Sequence, residues 1–355
     1  MQITKYEKLI PQNVAPYNAA KIGIYNAKTN KRLGSFGLQN LRPTNLGKKL
    51  YSFGALSDIH LQYSTAQEDF QRALTFLNET EDVEFTCICG DLTSMGLIEE
   101  LETYKEYIEL YSPNTPVYAI SGNHDACVRH MTTAEEMTPT TSTFEGISPY
   151  TGHPLYYSFT KGNDVFIMVG ITKWDGYYGN YDVFSTEELQ WLYETLESNR
   201  NKRCIVFQHG MRFDGCGNPY PPINPTGDLL GGTHGTVFKS LMEHYKNCIW
   251  FHGHSHTCFD SQEDNANANY DKLFGIHSIH IPSLAVPREF ENSAYVGKYA
   301  ESEGYVVDVY QKHIVLRGRD FVKGEFLPIA TYCLDTTLQT IEPNTFTDST
   351  GTILI

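Results

Sequence analysis

The chain has 355 residues, of which 41% are hydrophobic and 13% aromatic, and it carries a formal net charge of −15. This composition predicts a globular protein of one large domain or two ordinary ones. The negative charge argues against a surface that binds nucleic-acid duplexes, because such a surface needs clustered lysine and arginine.

The chain shows no sign of membrane insertion or export. No apolar run reaches the roughly 20 residues of a membrane span, so we expect no membrane partner. The residues after Met1 lack the basic and then apolar pattern of a signal peptide. The eight cysteines match neither zinc-ribbon nor redox spacing, which favours reduced thiols. A cytoplasmic location is therefore the default expectation.

Residues 1–49 form a separate N-terminal extension. Two short apolar runs, at 22–26 and 34–38, flank the polar segment 27–32, a pattern that predicts a β-hairpin. We place the main domain at 50–320 and a C-terminal tail of little periodicity at 321–355.

The main domain begins with alternating strands and helices. Strands are predicted at 51–57, 85–89 and 117–121, and amphipathic helices at 66–79 and 97–108. This alternation indicates parallel strands with crossover helices, hence an α/β fold.

The second half of the domain predicts another sheet. Two apolar runs with little helix between them, at 155–159 and 165–171, begin it. Ser185 and Glu188 form a capping box that opens a helix. Further elements are predicted as strands at 204–208, 248–252, 276–281, 304–310 and 313–319 and a helix near 236–246.

Five of the predicted strands are followed by residues that can bind metal. These residues are Asp58 and His60, Asp91, Asn123 and His124, His209, and His254 and His256. Each has an ordinary interpretation as a turn, cap or loop residue. Functional groups of α/β proteins gather at the carboxyl ends of strands, however, so we expect one shared site. On an extended backbone, His254 and His256 would face the same way just past their strand.

The donor set suits two metal ions about 3.5–4 Å apart, a spacing that calls for a bridging carboxylate. Asp91, alone at its strand end, is the predicted bridge. Asp58, His60 and one histidine of the 254/256 pair complete one site, and Asn123, His209 and the other histidine complete the second. Oxygen and nitrogen donors without thiolate predict two divalent or trivalent transition-metal ions, such as Mn, Fe or Zn.

The motifs resemble, in order, those of the calcineurin-like metallophosphoesterase superfamily. They are Asp58-x-His60, Gly90-Asp91, Gly122-Asn123-His124-Asp125, His209 and Gly253-His254-x-His256. The resemblance implies a four-layer α/β/β/α sandwich of two mixed β-sheets, with the metals between the sheets. It assigns Asp58, His60, Asp91 and His256 to one metal, and Asp91, Asn123, His209 and His254 to the other.

The resemblance also implies a reaction. We expect a phosphoester to be hydrolysed by in-line attack of a metal-bridging hydroxide. His124 is the candidate proton donor to the leaving group, with Asp125 orienting its ring. The alternative is that His124 acts only as a hydrogen-bonding neighbour of the ligands.

Differences from the sequence patterns of individual subfamilies narrow the choice of branch within the superfamily. Leu92 follows Asp91, where protein Ser/Thr phosphatases have arginine, and Ser94 stands where purple acid phosphatases have a tyrosine ligand. The chain looks most like the branch of class III cyclic-nucleotide phosphodiesterases and glycerophosphodiesterases, although His209-Gly-Met replaces the usual His-His-Pro. A phosphodiester is the favoured substrate; a phosphomonoesterase and a non-catalytic binding scaffold are the alternatives.

The remaining expectations concern substrate contacts and setting. Arg212, His234 and Arg288 are candidate substrate-binding residues. The composition and the 1–49 extension also resemble those of phosphoesterases encoded among phage tail genes, so a phage virion or tail location is an alternative. The oligomeric state stays open.

Overall fold

The structure of the protein is a computed structural model. The residues described are 22–25, 32–36, 46–126, 141–150, 152–173, 183–212, 215–217, 230–261, 269–272, 275–291, 294–341, 346–347 and 350–354.

The N-terminal extension contains the predicted hairpin. Strands β1 (Ile22–Tyr25) and β2 (Arg32–Phe36) pair antiparallel and form a two-stranded sheet of their own. The polar loop between them, residues 26–31, lies outside the described residues. The boundaries of the extension and of the main domain stay predictions.

The main domain alternates strands and helices in its first part. Its elements up to residue 198 are β3 (Tyr51–Leu56), α1 (Ala66–Thr75), β4 (Phe85–Cys89), α2 (Ile98–Tyr111), β5 (Val117–Ile120), α3 (Asn123–Ala126), α4 (Thr141–Phe144), β6 (Tyr156–Lys161), β7 (Asp164–Val169) and α5 (Thr186–Ser198). A π-helical segment, Phe76–Thr80, continues α1. The Ser185 hydroxyl accepts a hydrogen bond from the backbone N–H of Glu188, which confirms the predicted start of α5.

The second part is richer in strands. Its elements are β8 (Cys204–Gln208), α6 (Thr233–His244), β9 (Cys248–His252), β10 (Tyr270–Asp271), β11 (His277–His280), β12 (Arg288–Glu291), β13 (Ala294–Gly297), β14 (Glu303–Val309), β15 (His313–Asp320) and β16 (Glu325–Asp335). Strands β12 and β13 form a separate hairpin that the sequence pattern did not predict.

Two six-stranded mixed sheets form the body of the molecule. One has the order β16-β15-β14-β3-β4-β5 and the other β10-β11-β9-β8-β7-β6. The predicted parallel pairing of β3, β4 and β5 is confirmed, and β7, β8, β9 and β11 are parallel in the second sheet. The α/β prediction is therefore correct.

The first sheet extends beyond the predicted tail boundary. Strand β16 pairs antiparallel with β15 along most of its length, from His313 opposite Asp335 to Asp320 opposite Glu325. Half-buried and buried residues alternate only from Ile329 to Leu334 of this edge strand, and Pro328 lies where the register with β15 shifts, a position that tolerates a missing N–H. The expected irregular tail is therefore wrong for 325–335.

Three apolar cores hold the layers together. Phe53, Phe166 and Phe207 lie between the two sheets, with the rings of Phe53 and Phe166 edge to face at 5.2 Å between centroids. Phe70 on α1 belongs to a core on the outer face of the first sheet, and Phe238 on α6 to one on the outer face of the second. The order is helix, sheet, sheet, helix, which confirms the four-layer sandwich.

The described cysteines are free thiols. Among the described residues, no helix has both the length and the hydropathy to span a membrane.

Candidate metal centre

The candidate ligands follow strands of both sheets. Asp58, Asp91 and Asn123 come after β3, β4 and β5, and His209 and His254 after β8 and β9. Parallel strands end at one edge of their sheet, and the two edges face each other across the interior. Backbone hydrogen bonds connect the loops: the N–H of Asp58 donates to the Gly90 carbonyl (3.1 Å), and the N–H of Gly253 donates to that of His209 (3.1 Å).

The donor atoms form two groups. In one, the ligand atoms of Asp58, His60, Asp91 and His256 lie within 4.8 Å of one another, and all four residues are buried. In the other, Asp91, His209 and His254 meet the same limit. Asp91 belongs to both groups, as expected of a bridging carboxylate.

Asn123 joins the second group through its amide oxygen. Asn123 Oδ1 lies 2.9 Å from His254 Nδ1 and 3.2 Å from His209 Nε2. His209 Nε2 is also 3.2 Å from Asp91 Oδ2. The grouping is the one that the resemblance implied, and all seven predicted ligands converge.

Backbone carbonyls set the ring orientation of two histidines. His209 Nδ1 lies 2.7 Å from the Cys89 carbonyl, and His256 Nδ1 lies 3.1 Å from that of Val286. A carbonyl accepts only, so each Nδ1 carries a proton, and Nε2 is the nitrogen that would present its lone pair to a bound cation.

One oxygen of Asp58 is held, and the other faces the cluster. Asp58 Oδ2 accepts hydrogen bonds from the Ser57 hydroxyl (2.6 Å) and from the His254 backbone N–H (3.1 Å). Asp58 Oδ1 lies 3.0 Å from His256 Nε2, which itself lies 3.0 Å from His60 Nε2. Lone pairs therefore converge on one point, an arrangement that a cation satisfies. The residues of the first donor group therefore fit a metal ion.

The backbone is strained at these residues. Among the described residues, six that are not glycine have positive φ, and five of them are candidate ligands: Asp58 (52°), His60 (45°), Asp91 (51°), His254 (74°) and His256 (60°). Each such residue costs on the order of 1 kcal/mol, and clustering of this strain marks functional sites. The expectation that His254 and His256 lie on extended backbone is therefore wrong; the left-handed turns direct them to the two separate groups.

The electrostatics are those of a cation site. Burial would raise the pKa of Asp58, but the His256 and His209 rings outweigh burial and lower that pKa well below its usual range. Burial lowers the pKa of His60 to about 3 and, together with His209, that of His254 to about 4. Burial opposes the charge on His209 as well, yet Asp91 and Asp58 raise its pKa to about 10. The two carboxylates thus favour positive charge between them.

His124 lies at the edge of the cluster. Its ring is perpendicular to the His60 ring at 4.7 Å between centroids, and its backbone N–H donates to Asp91 Oδ1 (2.8 Å). His124 Nδ1 lies 2.8 Å from the Ser94 carbonyl, so Nδ1 carries a proton there.

The orienting role predicted for Asp125 is wrong. Its carboxylate accepts the backbone N–H groups of Leu92, Thr93 and Gly122 and the Thr93 hydroxyl at 2.8–3.2 Å, and the Ser94 carbonyl takes the place beside the His124 ring. Burial, and then the charge of Asp91, raises the pKa of Asp125 to about 6.

Two of the three predicted substrate-binding residues, Arg212 and His234, lie at helix α6, and the third, Arg288, lies near the metal ligands. Arg212 Nη1 donates to Glu243 Oε1 on α6 (2.6 Å), and half-buried His234 lies in the first turn of the same helix. The Arg288 backbone N–H donates to the His256 carbonyl (2.7 Å), which places this residue beside the first donor group. Contact of all three with substrate stays a prediction.

Several residues that contact the ligands were not predicted from the sequence. Tyr63 stacks on the His60 ring at 4.9 Å between centroids, and Ser57 holds Asp58. The carbonyls of Cys89, Val286 and Ser94 act through the backbone, so no side-chain signal could have identified them.

Comparison with known proteins agrees with this geometry. The model of the calcineurin-like phosphoesterase family matches residues 51–258. No curated protein sequence matches the chain. Among solved structures, the chain is similar to GAP50, titled the anchor in the inner membrane complex of Plasmodium, with 14% identity and a TM-score of 0.50 over 83% of this chain and 91% of that one.

Weaker structural similarity extends to two further proteins. Vps29 from Cryptosporidium parvum shares 11% identity at a TM-score of 0.36, over 81% of this chain and all of that one (100%). The hypothetical protein PH1004 from Pyrococcus horikoshii OT3 shares 11% identity at a TM-score of 0.33, over 81% and 88% of the two chains.

The fold and the site together define a metallophosphoesterase domain. A domain of this class, with these buried ligands, supports the assignment of the protein as a metal-dependent phosphoester hydrolase. The chain belongs to the calcineurin-like phosphoesterase family.

Proposed function

We propose that the protein is a dinuclear-metal-dependent phosphodiesterase. The observation that carries this proposal is the pair of donor groups that share Asp91, with His124 beside them. Asp58, His60, Asp91 and His256 would hold one cation, and Asp91, Asn123, His209 and His254 the other. When bound, such a pair lowers the pKa of a shared water and neutralises phosphate oxygens.

The chain supplies the leaving-group side of the reaction through His124. Its Nδ1–H is engaged by the Ser94 carbonyl, so Nε2 is the nitrogen available to exchange a proton. A proton held at Nε2 can pass to the departing alkoxide, as a general acid requires. The contact with the His60 ring and the bond to Asp91 hold His124 against the donor groups.

The residues Leu92 and Ser94, which follow Asp91 in the chain, support a diester substrate. Leu92, where protein Ser/Thr phosphatases have arginine, is fully buried in the apolar core under α1 and α2. Ser94, where purple acid phosphatases have a tyrosine ligand, contributes its carbonyl to His124. These features favour the branch of cyclic-nucleotide phosphodiesterases and glycerophosphodiesterases over the two phosphatase branches.

Turnover of model substrates tests the proposal. Metal-stripped protein reloaded with Mn²⁺ should hydrolyse bis-p-nitrophenyl phosphate faster than p-nitrophenyl phosphate. Preference for the monoester would favour the phosphomonoesterase alternative, and no turnover of either would favour the non-catalytic scaffold. Cyclic nucleotides and glycerophosphodiesters then separate substrate classes.

A matched pair of variants tests the role of the metal bridge. Asp91→Asn should abolish Mn²⁺-dependent turnover. Asp82→Asn makes the same change at an exposed residue with nearly the same φ, 50° against 51°, and should leave turnover unchanged.

A further inference from the structure

The loop between β4 and α2 is held by two buried carboxylates. Asp125 binds Leu92 and Thr93, as described above. Glu100, in the first turn of α2, binds the rest of the loop: Oε1 accepts the N–H of Ser94 (3.0 Å), and Oε2 accepts those of Met95 (3.0 Å) and Leu97 (2.9 Å). Three backbone donors thus depend on one side chain, which is completely buried.

The hydrogen bond to Met95 determines where the Ser94 carbonyl points. The Ser94 carbonyl and the Met95 N–H belong to one peptide group, and in a trans peptide these two bonds point in opposite directions. When Glu100 binds the N–H on one side, the carbonyl is directed to the other side. There it lies 2.8 Å from His124 Nδ1.

Gly96 lets the loop pass close to His124. Its φ is +71°, and a Cβ at this position would lie 2.9 Å from the His124 carbonyl oxygen and 3.0 Å from that of Asp125. The Thr93 hydroxyl accepts the Gly96 N–H at 3.0 Å. The loop therefore packs against the residue that its Ser94 carbonyl orients.

We propose that Glu100 is a positioning residue for His124: by binding the Met95 N–H it aims the Ser94 carbonyl at Nδ1 and so presents Nε2 to the reacting phosphoester. Its catalytic consequence rests on the proposed function, whereas its effect on the ring does not. Glu100 itself is shielded from substrate by the loop that it holds.

Glu100→Gln tests the proposal. Glutamine has one acceptor oxygen where glutamate has two, so it cannot accept the N–H groups of Ser94, Met95 and Leu97 together, and its amide N–H₂ faces at least one of them. We expect kcat for diesters with alkyl leaving groups to fall about 10- to 100-fold, a part of the 10²–10⁴-fold typical of general acid catalysis. Bis-p-nitrophenyl phosphate should lose less, because nitrophenolate leaves without a proton. KM and metal content should not change.

Glu99→Gln is the matched control. Glu99 is exposed on the same turn of α2, and the substitution removes the same charge from the same helix end. It should retain full activity. An equal loss in both variants, or an equal loss with both types of leaving group, would overturn the proposal.

A double variant shows whether Glu100 acts through His124. In a His124→Asn background, Glu100→Gln should change kcat by less than about twofold, because residues that act as one unit are not additive. The full loss in that background would contradict the proposal. If Glu100→Gln does not fold, Glu100→Asp keeps the charge but shortens the reach, and it takes the same measurements.

Nitrogen-15 NMR of the His124 ring separates this proposal from the proposed function. Wild-type protein should show Nδ1 protonated, and Glu100→Gln should shift the ring nitrogens toward a tautomer mixture. An unchanged spectrum would refute the positioning role even in an active enzyme. Absence of turnover in wild-type protein, with the spectral change present, would refute only the proposed function.

Discussion

Removal of the Ser57 hydroxyl should weaken metal binding without touching a ligand. That hydroxyl donates to Asp58 Oδ2 at 2.6 Å, a short bond of the kind formed with a charged acceptor. In Ser57→Ala, Oδ2 keeps only the longer bond from the His254 N–H (3.1 Å). The carboxylate then rotates more freely, and Oδ1 is directed less firmly at the first donor group.

The size of the effect follows from two independent estimates. Loss of a hydrogen-bond partner of a metal ligand typically lowers metal affinity about 10- to 100-fold, which corresponds to about 1.4–2.8 kcal/mol. A hydrogen bond to a charged group contributes about 1.5–3 kcal/mol. Because the two ranges agree, we expect the Kd for the Mn²⁺ held by the Asp58 group to rise about 10- to 100-fold.

Calorimetric titration of stripped protein with Mn²⁺ measures this change. Ser112→Ala is the matched control: Ser112 is also buried, and its hydroxyl donates to the Thr115 carbonyl (2.7 Å) after the C-terminal end of α2. It should bind Mn²⁺ like wild type. A Kd for Ser57→Ala within twofold of the wild-type value would refute the reasoning.

Three further changes have defined outcomes. Gly253→Ala would place a Cβ 2.0 Å from Ser57 Oγ and 2.5 Å from Asp58 Oδ2, so Mn²⁺ titration should show at least a tenfold loss of affinity; unchanged affinity would show that the loop yields freely. Asp164→Asn leaves the buried Arg203 guanidinium without its carboxylate (2.6 Å), so chemical denaturation should show a loss of about 3–5 kcal/mol. Its Mn²⁺ affinity should not change, because Asp164 begins β7 at the far end from the metal centre, and a reduced affinity would contradict that separation. Burial lowers the pKa of His277 to about 4, below its ordinary 6.5. The folded state therefore excludes a proton that the unfolded chain binds, and this contribution to stability, about 3 kcal/mol, is present above pH 6.5 and is lost as the pH falls toward 4. His277→Gln should flatten the pH dependence of the unfolding free energy across this window in metal-free protein; an unchanged slope would exclude His277 as its source.

The metal-binding side chains at the strand ends could be predicted from the sequence. Each strand produces a pattern within a few consecutive residues, so the residues that follow it can be identified without knowing the fold. Apolar periodicity located β3, β4 and β5, and the residues that follow them, Asp58, Asp91 and Asn123, are the ones that converge. The family resemblance added the assignment of His256 to the first group and His254 to the second, and the four-layer fold.

Other features depended on contacts between distant segments. Strand β16 was not predicted because its first five residues are not buried and include Pro328, so apolar alternation is missing from that half of the strand. Asp125 looked like the partner of His124 by adjacency, yet its carboxylate turns to the loop of Thr93, and a backbone carbonyl orients the ring instead.

What the sequence determined by itself was the set of donor residues, their order and the sheets that carry them, since these follow from side-chain chemistry and hydrophobic periodicity. Only the tertiary structure decided how those donors are aimed. The left-handed backbone at Asp58 and His254, the carbonyls behind His209 and His256, and the grip of Glu100 on the Ser94 peptide involve main-chain groups. Every residue has a backbone carbonyl, and every residue except proline has an N–H. The sequence therefore cannot show which of these groups will contact the site in the folded protein.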